Sequence, residues 1–147
     1  MLDLQWEQML SHFLHLGAAF LLAIPVAVNR ELRSRGAGLR TFPLVSVASC
    51  GYMLLAMQVY SGSDAEAKVM YGLITGIGFI GGGAILKNAG NVSGTATAAS
   101  IWNTGAIGVS VAYSYYEIAI TLSLMNFAVL QFVTPLKRER TGEDQED

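Results

Sequence analysis

Five apolar stretches separated by short polar segments divide the chain: residues 10–28, 42–59, 69–86, 95–112 and 118–133. Each is close to the roughly 17–25 residues that an α-helix needs to cross a bilayer. The pattern predicts five membrane-spanning helices joined by brief connections over residues 29–41, 60–68, 87–94 and 113–117. Pro25 lies near the end of the first stretch, where neighbouring helices can satisfy the carbonyl it frees. Pro43 falls in the first turn of the second, where a missing N–H costs little. Pro135 ends the fifth.

Composition turns this pattern into a class. Of the 147 residues, 52% are hydrophobic and only 14% are charged, against about 25% charged in a typical soluble domain. The expectation is an all-α polytopic membrane protein, with a five-helix membrane domain over residues 1–136 and a charged, disordered tail over 137–147. The segment before the first stretch has Asp3 and Glu7 but no Lys or Arg, which argues against a cleaved secretory signal. The lone cysteine, Cys50, excludes an intrachain disulfide and any multi-cysteine metal site.

Charge sets the threading. Eight of the nine basic residues fall in the first and third connections and in the tail; Lys68 is the exception. Asp3, Glu7, Asp64, Glu66 and Glu117 occupy the other segments. By the positive-inside rule the N-terminus is outside and the C-terminus cytoplasmic. Tyr60, Tyr71, Tyr113, Tyr115 and Tyr116 then gather at the outer interface, as an aromatic belt does.

The third stretch holds the densest glycine run, with five glycines among the twelve residues 75–86. Each costs roughly 1 kcal/mol in a helix interior relative to Ala. In lipid the usual reason to keep them is close helix approach. Gly72/Gly76 and Gly78/Gly82 have the GxxxG spacing, so the rest of the chain is expected to wrap this segment.

Other polar positions carry two readings each. The arginine-rich first connection touches anionic lipid as a topology signal; alternatively Arg30, Arg33, Arg40 and Thr41, at the start of the second helix, form an anion or lipid site. Arg30 and Glu31 are either interfacial snorkelling residues or a charge pair that closes the cytoplasmic face. His12 and His15 share a helix face, but no third ligand lies nearby and no metal site is expected. Thr97, Ser100 and Thr104 share a face of the fourth helix at three- and four-residue spacing. With Asn103 they either bond between helices or line a narrow path beside Gly72, Gly76, Gly78 and Gly82. Trp102 is expected to fill space beside those glycines.

Several devices are missing. No acidic residue lies within a stretch, whereas proton relays and cation pumps commonly use intramembrane carboxylates and Mg²⁺ sites use one or two. There is no Walker loop, no Ser/His/Asp arrangement and no HExxH motif. Neither enzymatic activity, a cofactor nor a nucleic-acid partner is expected.

Four blocks, in order, carry a family resemblance: Arg30 with Ala37-Gly38-Leu39-Arg40-Thr41, then residues 75–83, then Thr97-Ala98-Ala99-Ser100-Ile101-Trp102, then Gly105-Ala106-Ile107-Gly108. Together they resemble the MgtC/SapB family of bacterial inner-membrane proteins. The resemblance implies a five-helix membrane domain, a link to growth in low magnesium and to acid or intracellular stress, and in some members restraint of the F-type ATP synthase. It does not imply a secure transport activity. Many members carry a soluble C-terminal domain, which this chain is not expected to have. The sequence departs from the family pattern at several polar positions. An acidic residue beside the first-span arginine is Asn29 here, with Glu31 two residues on; an arginine before the fourth span is Ser93; a third-span glutamine is Gly72; and the Gly-Leu-Thr-Thr-Ala-Ala pattern reads Gly94-Thr95-Ala96-Thr97-Ala98-Ala99.

The sequence therefore predicts a non-enzymatic, multi-pass protein of the bacterial inner membrane, homo-oligomeric through a small-residue face. Its expected role is to regulate another membrane protein, such as an ATP synthase, in magnesium limitation or acid stress. One alternative is a small Mg²⁺ or H⁺ transporter or channel lined by Gly78, Gly82, Thr97, Ser100 and Asn103. Another is a lipid- or anion-binding module at Arg30, Arg33 and Arg40.

Overall fold

The computed structural model describes residues 5–33, 36–88 and 91–133. The expected tail over 137–147 lies outside them. Five helices run in chain order: α1 (Trp6–Arg33), α2 (Thr41–Val59), α3 (Ser63–Gly83), α4 (Thr95–Ala112) and α5 (Tyr116–Ala128), the last continued by a π-helical turn over Val129–Val133. By length and apolarity α1, α2 and the segment Tyr116–Val133 can cross a membrane. The sequence predicted five such spans. α3 and α4 are helices of similar length, but α3 opens with Asp64, Glu66 and Lys68, and α4 carries six hydroxyl and amide side chains.

The third element differs most from expectation. Its helix starts at Ser63, within the expected polar connection, and ends at Gly83 rather than at residue 86. Gly62 has φ +117°, and its carbonyl accepts the N–H groups of Ala65 and Glu66. Asp64 and Glu66 in the first turn suit the positive end of the helix dipole. At the other end, Ala84 N–H bonds to Gly81 O and Ile85 N–H to Gly82 O, tightening the last turn. The chain then forms a short antiparallel hairpin, β1 (Leu86–Asn88) with β2 (Asn91–Ser93), pairing Lys87 with Val92. Gly94 follows at φ +83°, where a Cβ would lie 1.9 Å from Ala84 O. Both the dihedral and the close approach require glycine there.

The chain wraps α4, and this corrects the expectation that it wraps the glycine run. α4 packs against α1, α2, α3 and α5 and buries nine residues, whereas α3 buries only Ile77 and Gly81. Glycine does permit the close approaches, but in α4. A Cβ on Gly108 would lie 2.1 Å from Ser46 O of α2, and one on Gly105 would lie 2.2 Å from Ile77 Cδ1 of α3. In α3, Gly81 alone among the glycines of that helix meets a neighbour, Ala98 O at 3.2 Å; Gly72, Gly76, Gly78, Gly82 and Gly83 face open space. Trp102 is correspondingly 56% exposed and borders a small apolar cavity with Ile74 and Gly105.

Two apolar clusters fill the bundle. One joins Ala19, Cys50, Met53, Ile107, Val111 and Ala119; the other joins Val26, Ala27, Phe42, Ile77, Ile101 and Leu130. Interhelical contacts sort the ends. Glu31 reaches Leu39, Gly81 reaches Ala98 and Asn29 reaches Gln131 at one end. His15 reaches Ser114 and Tyr113 reaches Glu66 at the other. Arg30, Arg33, Arg40 and Lys87 therefore share one end of the bundle, while Asp64, Glu66 and Glu117 share the opposite end.

Candidate functional site

The basic end holds the densest polar arrangement. α1 delivers Asn29, Arg30 and Arg33 in its last turn, where cations suit the negative end of a helix dipole. The Arg30 guanidinium donates to the Thr97 hydroxyl in the first turn of α4. Asn29 Nδ2 and Arg33 Nη2 both donate to Gln131 Oε1 in the π-helical turn, each at 2.9 Å. The cluster ties the end of α1 to both α4 and the end of α5. Asn29 is only 5% exposed. Among the described residues its Oδ1 and the Arg30 Nε are buried without a hydrogen-bond partner, a costly state in a low-dielectric setting unless water fills it.

A polar seam continues along α4 and α5. Ser100 Oγ donates to Asn126 Oδ1 at 3.0 Å, and Asn103 Nδ2 donates to Leu122 O at 3.3 Å. Thr104 donates to Ser100 O within α4, and Ser123 donates to Leu22 O across to α1. Thr97, Ser100 and Thr104 are all buried. The structure thus gives these hydroxyls to contacts among α1, α4 and α5. It does not bring Thr97, Ser100 or Asn103 together with Gly78 and Gly82, which face away into open space.

The expected charge pair takes another form. Arg30 turns to Thr97, while Glu31 Oε2 accepts the Leu39 N–H at 2.9 Å. Glu31 closes over the connection so tightly that a Cβ on Gly38 would lie 2.0 Å from its Oε2. Glu31 is thus the clasp of the α1–α2 connection. The start of α2 offers less to an anion than its sequence suggests. Thr41 and Phe42 N–H groups both bond to Gly38 O, at 3.0 and 3.2 Å, and Pro43 has none. Only the Arg40 and Thr41 side chains remain there. Arg40 is exposed and lines a groove between α2 and α3 that includes none of the Arg30–Arg33 cluster.

Chemically the cluster carries positive charge with no carboxylate among its described members. It suits an anion or water, and it lacks the oxygen-rich set a divalent cation takes. Sequence reasoning missed Gln131 and Asn126, which complete it. The available signal was an amide inside an apolar stretch, where a polar side chain must find a partner. At the far end, His15 Nδ1–H donates to Ser11 O at 2.8 Å and Nε2 accepts from Ser114 Oγ at 3.2 Å. His15 is thereby occupied in joining α1 to the α4–α5 turn. Among the described residues no three His, Cys, Asp or Glu side chains converge as a metal site would require.

An α-helical bundle with apolar membrane-length helices and a clustered basic end defines a helical membrane protein. The sequence profile described as the MgtC family matches residues 16–139, and the chain belongs to that family. It is 35% identical over 114 residues to the Escherichia coli K12 protein named "Putative magnesium transporter YhiD", a match covering 72% of this chain and 53% of that one. It is 34% identical over 131 residues to Protein MgtC of Brucella abortus strain 2308, covering 89% and 55% respectively. With Protein MgtC of Salmonella typhimurium LT2 it shares 32% identity over 117 residues, covering 80% and 50%. The chain therefore spans about half the length of the curated relatives it matches. No solved structure matches it.

Proposed function

We propose that this chain is a non-enzymatic regulatory protein of the bacterial inner membrane, linked to magnesium limitation or acid stress, that acts by docking on another membrane protein. All five helices cross the bilayer in this reading, with the basic end cytoplasmic as the positive-inside rule requires. One observation carries it. The side chains that could line a path, Thr97, Ser100 and Asn103, are engaged within the bundle, while Gly78 and Gly82 of α3 meet no neighbour among the described residues. Glycines that lower helix propensity without packing inside the molecule leave a smooth face for another helix. That face would take a second copy of this chain or a membrane partner such as an ATP synthase.

The second reading is a small Mg²⁺ or H⁺ transporter, and for Mg²⁺ it draws on the name of the Escherichia coli relative. Flux separates the two. Full-length protein reconstituted in liposomes is expected to move Mg²⁺ and H⁺ no faster than protein-free vesicles, with Gly82→Leu behaving as wild type. Specific, saturable flux lost in a folded Gly82→Leu variant would establish transport in place of regulation.

A further inference from the structure

We infer that the groove between α2 and α3 is a binding site for one anionic phospholipid of the leaflet at the basic end, with an acyl chain in the groove and the phosphate at Arg40. The groove encloses about 700 Å³. Its walls are apolar side chains such as Leu44, Val45, Leu73 and Ile80, with Ala48 from α2. Its floor on the α3 side is formed where Gly72 and Gly76 have no side chain and open space lies at their Cβ positions. This gives those two glycines a role that helix packing inside the chain does not.

Apart from Ser49, whose hydroxyl donates to Val45 O, the polar lining lies at the ends. Arg40 and Thr41 stand at the mouth and Tyr52 at the far limit. Thr41 and Tyr52 are eleven residues apart on one helix, or about 16 Å at the α-helical rise. That is close to half of the roughly 30 Å hydrocarbon core, the reach of one acyl chain from headgroup to midplane. Neither the Arg40 guanidinium nor the Thr41 hydroxyl has a hydrogen-bond partner among the described residues, whereas Arg30 and Arg33 are both engaged. Glu31, the acid nearest in sequence, engages the Leu39 N–H through its Oε2 and makes no ion pair with Arg40. Among the described residues the mouth thus presents a cation without an acidic partner and a hydroxyl above an apolar slot, and a phosphodiester accepts bonds from both. A neutral zwitterionic lipid would fill the slot but gain less at Arg40, since its own ammonium competes for the phosphate.

Native mass spectrometry of the full chain released from detergent tests this with phosphatidylglycerol and phosphatidylcholine of identical acyl chains. Wild type is expected to retain one phosphatidylglycerol with about fivefold preference, the discrimination expected from one basic residue near an anionic surface. Arg40→Gln should bring that preference close to one while leaving phosphatidylcholine binding intact. Gly76→Leu should lose both lipids, and Ala48→Trp, filling the groove from the α2 side, should do the same if Gly76→Leu does not fold. Soluble glycerophosphate should not displace the lipid. An undiminished preference in Arg40→Gln, or full lipid retention in folded groove-filled variants, would overturn the assignment. So would displacement by glycerophosphate, which would mark a free-phosphate site. A change from oligomer to monomer in Gly76→Leu with lipid count unaltered would show that the groove seats a second copy instead.

Discussion

Tyr113 and Glu66 show at the residue scale how this bundle uses a single polar bond between helices. The Tyr113 hydroxyl donates to Glu66 Oε2 at 2.8 Å, joining the end of α4 to the start of α3. Burial pushes the Tyr113 phenol above its ordinary value, and the hydrogen bond and negative charge of Glu66 push it further. A raised folded-state value means that this contribution to stability is fully present below the unfolded tyrosine range, about 10. It is lost as pH rises through the folded value. Followed by phenolate absorbance, Tyr113 is expected to be among the last tyrosines to ionise. Glu66→Gln should lower its midpoint without restoring the ordinary value, because burial remains. An unchanged midpoint would show that Glu66 does not bear on it. Much at this scale was not legible in the chain. Arg30 stood out beside Glu31, yet its partner is Thr97, 67 residues away. Adjacent residues on a helix point in different directions, so sequence neighbours of opposite charge need not pair.

At the scale of the helix, the glycines separate into two kinds that one sequence pattern cannot distinguish. Gly108 of α4 sits against Ser46 O, where an added Cβ would be 2.1 Å away. Gly108→Ala is expected to cost about 1–3 kcal/mol, the usual range for overpacking. Gly82 of α3 has nothing within 4 Å of a Cβ, so Gly82→Ala should be neutral or stabilise the isolated chain by up to about 1 kcal/mol through helix propensity. Thermal unfolding of both variants in one detergent checks this. Equal effects would mean that α3 is packed against something in the purified protein. The spacing Gly72/Gly76 and Gly78/Gly82 was legible and predicted close approach, but none of the four meets a neighbour among the described residues. Whether a neighbour approaches depends on the rotation of α3, which Ile77 against Gly105 and Gly81 against Ala98 set. Helix ends follow the same division. Thr95–Ala112 was readable to the residue, because Gly94 begins it with a positive φ. The start of α3 at Ser63 was not, since polar first turns look like connections.

For the whole molecule, the consequence of a central α4 and a peripheral α3 is an order of local stability. α4 buries nine residues and α3 two, and segments with little burial open first. In amide hydrogen exchange on the full chain in detergent, the middle of α3 is expected to lose protection before the middle of α4. The reverse order, or simultaneous loss, would contradict the arrangement of layers. The membrane character of the protein, its succession of helices, its basic and acidic ends and its family were all carried by the sequence. Those properties sum over many residues, so apolar length, charge bias and small-residue blocks survive averaging along the chain. Tertiary structure alone decided which helix is the hub, which glycines meet a neighbour, and that Asn29, Arg30, Arg33, Thr97 and Gln131 form one cluster while Arg40 lines a groove that includes none of them. Those outcomes depend on the relative rotation of packed helices. A turn of one helix by a residue changes every partner while leaving its hydropathy untouched.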